Sequence, residues 1–123
     1  MSRLLYVHTG GVKTPERSAT PIYLATTAAA MDIEVGIYFT VNGPTLLEKG
    51  VPESLIVPKH DGQGAPLRRF IDQAQEMGVR FYVCQPSLDL HGLTPDDLID
   101  GVEMIGGAAF NDMALEADQV ICF

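Results

Sequence analysis

Short apolar runs alternate along this chain with segments in which apolar residues recur at helical spacing. Residues 4–7 (LLYV) form a continuous apolar run that stops at His8-Thr9-Gly10-Gly11, a pattern typical of a buried parallel strand followed by a loop. Residues 33–40 (IEVGIYFT) are rich in β-branched and aromatic side chains and end at Asn42-Gly43-Pro44, which predicts a second strand and a turn. Further strands are predicted over residues 79–83, 102–105 and 120–123.

Helices are predicted between these strands. Thr20-Pro21 offers a helix start before residues 22–31, which are small or apolar on most sides. Pro66 opens a clearly amphipathic segment that Gly78 ends, and residues 107–117 place Phe110, Met113, Ala114 and Ala117 on one face. Shorter helices are predicted over residues 45–49 and after residues 85–87 and 94–97, while residues 51–65 read as a long surface loop with a possible short strand at 55–57.

Strands alternating with helices at this interval predict a parallel sheet. We therefore expect a three-layer, flavodoxin-like α/β domain with a mostly parallel sheet of about five strands and helices on both faces. The 123 residues correspond to one domain, residues 1–123, and this length can bury a single core.

Charge is distributed unevenly along the chain. The formal net charge is −8, and all of it belongs to residues 81–123, because the eight basic residues before that point are balanced by eight acidic ones. A segment with acids and no base repels phosphate backbones and anionic lipids, so nucleic-acid and membrane binding are not expected. The acidic segment is either a solvated face or a docking surface for a basic partner.

Cysteine usage and hydropathy indicate the compartment. The first residues lack a signal-peptide pattern, and no run of about 18 uncharged apolar residues occurs. Two cysteines, Cys84 and Cys122, form no disulfide framework and no CxxC motif. The expected location is therefore a reducing one, the cytoplasm.

Cys84 is the main candidate for chemistry. It follows a predicted strand, where ligands and reactive groups collect in open parallel sheets. If Gln85 caps a helix that begins at Pro86, the helix terminus favours the thiolate and lowers the thiol pKa. The alternative is a buried structural cysteine. Cys122, inside the apolar end VICF, is interpreted as inert packing.

Histidines and one glycine-containing loop supply further candidates. His8, His60 and His91 follow strands or lie in loops, and two of them could approach Cys84, but no short ligand spacing supports a zinc site. No metal and no cofactor are expected. His91 is interpreted as a local acid, base or orienting group, with a capping or surface role as the alternative. The loop that begins at Thr9 resembles an anion-binding nest, although loop geometry explains its glycines equally well.

Three segments together resemble a known family. Residues 39–50 (FTVNGPTLLEKG), 83–93 (VCQPSLDLHGL) and 98–103 (LIDGVE) are similar to the DsrE/DsrF-like family of small sulfur-relay proteins, and the resemblance spans nearly the whole chain. It implies a flavodoxin-like domain, assembly into trimers or hexamers, and a cysteine that carries persulfide sulfur between proteins. The family's sulfur-carrying cysteine matches Cys84. The second nearby cysteine of certain branches is absent here, because Gln85, Pro86 and Ser87 follow directly.

The expected function is therefore a cytoplasmic persulfide carrier of sulfurtransferase type, working between sulfur donor and acceptor proteins. Cys84 and His91 are its candidate catalytic residues. The candidate substrate pocket contains Gln85, Asn42, Gly43, His8 and Thr9. A homo-oligomer is expected because one side of a sheet cannot cover the helix at residues 22–31. Two alternatives stay open: a non-catalytic oligomeric subunit or small-ligand binding module, and a peroxidase-like thiol protein whose resolving cysteine would come from another chain.

Overall fold

Seven strands and five α-helices alternate through residues 2–123, which the computed structural model describes. The strands are β1 (Arg3–His8), β2 (Glu34–Phe39), β3 (Ile56–Val57), β4 (Ala65–Pro66), β5 (Arg80–Val83), β6 (Val102–Met104) and β7 (Gln119–Cys122). The α-helices are α1 (Thr20–Ala30), α2 (Val51–Ser54), α3 (Leu67–Glu76), α4 (Gln85–His91) and α5 (Gly107–Glu116). Short 3-10 turns lie at Pro15–Arg17, Gly43–Leu47 and Pro95–Asp97.

Five of the strands form one parallel sheet in the order β6-β5-β2-β1-β7. Strands β1, β2, β5 and β6 lie side by side in chain order, and β7 crosses back to the far side of β1. This order differs from that of flavodoxin itself, in which the chain reverses direction after its second strand. All five strands point the same way, so their carboxyl ends share one edge of the sheet, and we call this the carboxyl edge.

The two faces of the sheet are covered by different helices. Tyr6, Ile37, Phe39, Phe81 and Val83 pack with apolar residues of α1 and α3. We call this side the first face. The second face carries Leu5, Tyr38 and Cys84 and is covered by Phe110, Met113 and Ala114 of α5 and by Ala117 directly after it. The three-layer, flavodoxin-like architecture with helices on both faces is therefore confirmed, and so is the inner face expected for α5.

Residues 51–66 contain more structure than the expected loop. Val51–Ser54 form one turn of helix, and the two-residue strands β3 and β4 pair in antiparallel fashion. Four-residue helices and two-residue strands are too short to produce a hydrophobic period, so the sequence pattern indicated only the short apolar stretch at residues 55–57.

The interpretation of Cys122 as buried packing is wrong. Cys122 is exposed, and so is the rest of β7. The apolar letters of VICF suggested a buried strand, but β7 pairs with β1 and borders the sheet formed by residues 2–123, where its side chains remain accessible.

Candidate functional site

Cys84 lies at the carboxyl edge of the sheet. The chain leaves β5 at Val83 in extended conformation and turns into α4, so that Cys84 itself is the N-cap residue and Pro86 occupies the first turn. Side chains alternate along a strand, and this places Cys84 on the second face with Tyr38. The residue is 8% exposed, so its thiol is nearly buried.

Hydroxyl groups surround the sulfur. The Sγ atom of Cys84 lies 3.0 Å from Oγ of Ser87 and 3.5 Å from Oγ1 of Thr40, and these two oxygens are 3.1 Å apart. The register explains the arrangement: Val83 pairs with Phe39, so the next residues, Cys84 and Thr40, leave adjacent strands side by side. Ser87 reaches the same point from the first turn of α4.

These contacts decide the protonation of the thiol. Burial, the largest single contribution, raises the pKa of Cys84, but hydrogen bonds with the hydroxyls of Ser87 and Thr40, together with the nearby Tyr38 hydroxyl and the Ser87 amide, outweigh it. The net pKa is lowered from the ordinary value of 9.0. Tyr38 changes in the opposite direction, since burial and the neighbouring thiolate raise its pKa and keep its hydroxyl a donor. The site therefore stabilises a thiolate in a nearly buried position.

The loops after β1 and β2 meet beside this site. Gly43 approaches the backbone of His8 so closely that no larger side chain fits, and a Cβ at Gly11 would stand 2.7 Å from the carbonyl oxygen of Asn42. Next to this contact lies a cavity of about 240 Å³ whose lining includes Lys13, Asn42 and His91. The structure thus brings two of the predicted site residues, Asn42 and His91, to one cavity.

The other predicted residues are placed elsewhere. His8 points to the first face, where its ring lies 5.4 Å from that of Phe39 and its Nε2 donates to the Ser18 carbonyl at 2.8 Å. Thr9 donates its hydroxyl proton to the carbonyl of Phe123.

Gln85 is also directed away from the sulfur, because its side-chain amide donates to Asp89 at 2.8 Å on the exposed side of α4. His91, two turns beyond Cys84, bonds to the carbonyl of Val41 at 2.9 Å. The hydrogen-bond partners of the Cys84 sulfur are hydroxyls, whereas the imidazoles of His8 and His91 bond to backbone carbonyls.

Ser87, Thr40 and Tyr38 are the residues that sequence reasoning missed. Ser87 stands three residues after Cys84, the spacing at which the first turn of a helix approaches its N-cap. Thr40 follows a neighbouring strand at the level where β5 ends. Both signals were present, but the pairing of β2 with β5 was needed to connect them.

Across residues 2–123, no three His, Cys, Asp or Glu side chains come together as a group that could hold a metal ion. Within that same span, no helix has the length and apolar character needed to cross a membrane.

The fold and the site together define a small three-layer α/β protein that presents a cysteine, contacted by hydroxyl groups, at the carboxyl edge of a parallel sheet. The model of the DsrE/DsrF-like family matches residues 2–123. The chain belongs to the DsrE/DsrF-like family.

The chain is also similar to individual proteins and to a solved structure. The chain is 28% identical over 134 residues to a protein of Allochromatium vinosum named sulfur carrier protein DsrE2, covering 80% of this chain and 84% of that one. It is 30% identical over 109 residues to an uncharacterised protein of Methanopyrus kandleri, covering 88% of this chain and 83% of the relative. The crystal structure of the ychN protein from E. coli superposes with a TM-score of 0.75 at 20% identity, covering 100% of both chains. This last likeness concerns the fold.

Proposed function

We propose that this protein relays sulfur by carrying a sulfane sulfur atom on Cys84 as a persulfide. The observation that carries the proposal is the geometry at Cys84, a nearly buried sulfur at the carboxyl edge with the hydroxyls of Ser87 and Thr40 within 3.5 Å. The name of the relative from Allochromatium vinosum, a sulfur carrier protein, supports the same chemistry.

Loading is a thiolate exchange. The Cys84 thiolate attacks the outer sulfur of a donor persulfide, forms the new sulfur–sulfur bond, and breaks the donor's own one. The donor leaves as a thiolate and Cys84 holds the sulfur as Cys84-SSH. Atoms, charge and oxidation state balance without any further reactant.

Delivery repeats the exchange in the other direction. A thiolate of the acceptor protein attacks the outer sulfur of Cys84-SSH, and Cys84 departs as the thiolate. The hydroxyls that lower the pKa of Cys84 also make it the better leaving group, because a thiol of lower pKa leaves faster. One set of hydrogen bonds therefore serves both steps.

Burial restricts the partners. With 8% of Cys84 exposed, a flat protein surface cannot reach the sulfur, so donor and acceptor must present their sulfur on a projecting segment. The acidic residues of 81–123 offer such partners a complementary surface if they are basic. A thiol of this kind works in a reducing compartment, and we infer a cytoplasmic location.

Assembly into a homo-oligomer belongs to the same proposal. Tyr23 is 58% exposed and Met31 is 65% exposed, both on or next to α1, which buries Ile22, Ala25 and Ala28 in the core. Covering these side chains with a second copy would remove apolar surface from water. Light scattering at micromolar concentration should show a trimer or hexamer, and a monomer would refute this part.

Intact mass spectrometry tests the function. The protein is incubated with a low-molecular-weight persulfide, with and without a reductant. We expect a reductant-sensitive gain of one sulfur atom that Cys84→Ser abolishes and Cys122→Ser preserves. Equal loading of the Cys84→Ser variant would refute the carrier. A folded protein whose Cys84 resists both persulfide and alkylating reagents would favour the alternative, a non-catalytic subunit or small-ligand binding module.

A further inference from the structure

Val41 has an unusual backbone conformation. Its φ angle is +58°, in the left-handed region that β-branched residues rarely adopt, and its side chain is 47% exposed. Burial of the side chain therefore does not explain the conformation. Contacts to the backbone of Val41 must hold it in place.

Two residues of α4 provide those contacts. The Nε2 atom of His91 lies 2.9 Å from the Val41 carbonyl oxygen, and because a carbonyl only accepts, this nitrogen carries the proton. The Val41 amide donates to Oγ of Ser87 at 2.8 Å. Ser87 and His91 are four residues apart on the helix, so they share a face, and together they bind the amide and the carbonyl of residue 41.

These two hydrogen bonds determine where the Ser87 hydroxyl proton points. Oγ of Ser87 already accepts the Val41 amide, so its own proton is free to point at Sγ of Cys84, 3.0 Å away, or at Oγ1 of Thr40, 3.1 Å away. When Cys84 is a thiolate it can only accept, and the Ser87 proton then points to the sulfur. A continuous chain of hydrogen bonds thus leads from His91 through Val41 and Ser87 to Cys84.

We propose that His91 is a positioning residue for Cys84: it holds Val41 in its left-handed conformation, so that the Val41 amide aligns the Ser87 hydroxyl with the sulfur. His91 does not touch the sulfur and transfers no proton to it. The inference deepens the proposed function, since the aligned hydroxyl stabilises the thiolate that takes up sulfur.

Without the His91 bond, Val41 relaxes to negative φ and its amide leaves Ser87. The hydroxyl then loses its fixed orientation. It offsets less of the rise in the Cys84 pKa that burial causes. Tyr38 is the titratable side chain in contact with the sulfur, and burial raises its own pKa, so it stays protonated where thiols titrate. Within residues 2–123, no charged side chain contributes to the Cys84 pKa.

The pH profile of Cys84 alkylation by iodoacetamide tests the proposal, in a Cys122→Ser background with a single thiol. We expect His91→Leu to shift the profile to higher pH and to slow alkylation several-fold at neutral pH, with His91→Gln, which keeps an N–H donor, shifted less. Adding Val41→Asn to His91→Leu should return the profile to that of the parent, because asparagine adopts positive φ more readily than valine and depends less on the His91 bond. His60→Leu, in the exposed loop, is the matched control and should leave the profile unchanged.

The outcomes separate this inference from the proposed function. An unshifted profile in folded His91→Leu, or a shift that Val41→Asn does not reverse, overturns the positioning role. If His91→Leu does not fold, the comparison of His91→Gln with and without Val41→Asn decides in the same way. Persulfide loading is measured separately, so a protein that shows these shifts but never gains sulfur refutes the carrier and leaves the positioning role standing.

Discussion

Gly43 packs against the main chain of His8 with no room for a side chain, since a Cβ at residue 43 would overlap the His8 carbonyl oxygen. This contact fixes the loop after β2 against the end of β1. It therefore also fixes the position from which Thr40 and Val41 reach the site.

Gly43→Ala should destabilise the protein by about 1–3 kcal/mol, because the backbone of β1 must move to admit the methyl group. Urea denaturation followed by circular dichroism measures the loss. Gly107→Ala is the control: it adds the same methyl group at the start of α5, where nothing lies within 4 Å, and should leave the free energy of unfolding unchanged or raise it by up to about 1 kcal/mol. Equal effects of the two substitutions would contradict the close approach.

Ser87→Ala should raise the pKa of Cys84, because it removes the largest of the contributions that oppose burial. A hydrogen bond to a charged group is worth about 1.5–3 kcal/mol, so alkylation at neutral pH should slow by about tenfold or more. The measurement is the iodoacetamide rate against pH in the Cys122→Ser background. Ser54→Ala, which removes a hydroxyl on exposed α2, should leave the rate unchanged. A faster Ser87→Ala variant would mean that the hydroxyl does not stabilise the thiolate.

The two cysteines should respond oppositely to reagent size. Cys84 is 8% exposed, whereas Cys122 lies open on β7. A bulky polymer-linked maleimide should therefore label Cys122 faster, while small iodoacetamide at neutral pH should favour Cys84, whose thiolate is stabilised. Gel shifts of Cys84→Ser and Cys122→Ser assign the labelled residue. Rapid labelling of Cys84 by the bulky reagent would show that the sulfur is more accessible than its burial indicates.

His8 should make stability depend on pH. Its ring is fully buried, and burial lowers its pKa below 6.5. Above pH 6.5 the imidazole of His8 is neutral in both the folded and the unfolded state, so protonation of this residue takes nothing from the free energy of unfolding. As the pH falls through 6.5 the unfolded chain binds a proton that the folded protein does not, so stability declines.

Urea titrations between about pH 7 and pH 5 measure this decline. His8→Gln keeps an N–H donor for the Ser18 carbonyl but does not titrate, so its stability should change less over the same range. An identical slope in both proteins would assign the pH dependence to other groups.

Much of this fold follows from local sequence signals. The run at residues 4–7 is apolar because β1 is covered on two faces, and Gly78, with φ +88°, ends α3 where a glycine was expected to end it. The position of Cys84 after β5 was predicted for the same reason, since it depends only on where a strand ends. The side chains around Cys84 could not be predicted in this way, because they depend on which strands are neighbours in the sheet.

His8 shows why such surroundings were out of reach. Its place after a strand suggested proximity to Cys84, but the two residues point to opposite faces of the sheet, and one residue of register would exchange those faces. Thr40 meets the sulfur only because β2 and β5 are adjacent, whereas Ser87 reaches it from the first turn of α4. Cys122 was misjudged because strand composition does not reveal which strand borders the sheet.

The return of β7 to the far side of β1 affects how the sheet forms and where it opens. Arg3 and Asp118 are 115 residues apart, whereas Thr40 and Cys84 are separated by 44, so closing the outer loop costs about 1 kcal/mol more chain entropy. The outer strand β7 is therefore more easily lost than the central pair of β2 and β5. The hydroxyls around the thiol come from β2 and α4, and local opening of β7 can expose β1 to another chain while the sulfur's surroundings remain intact.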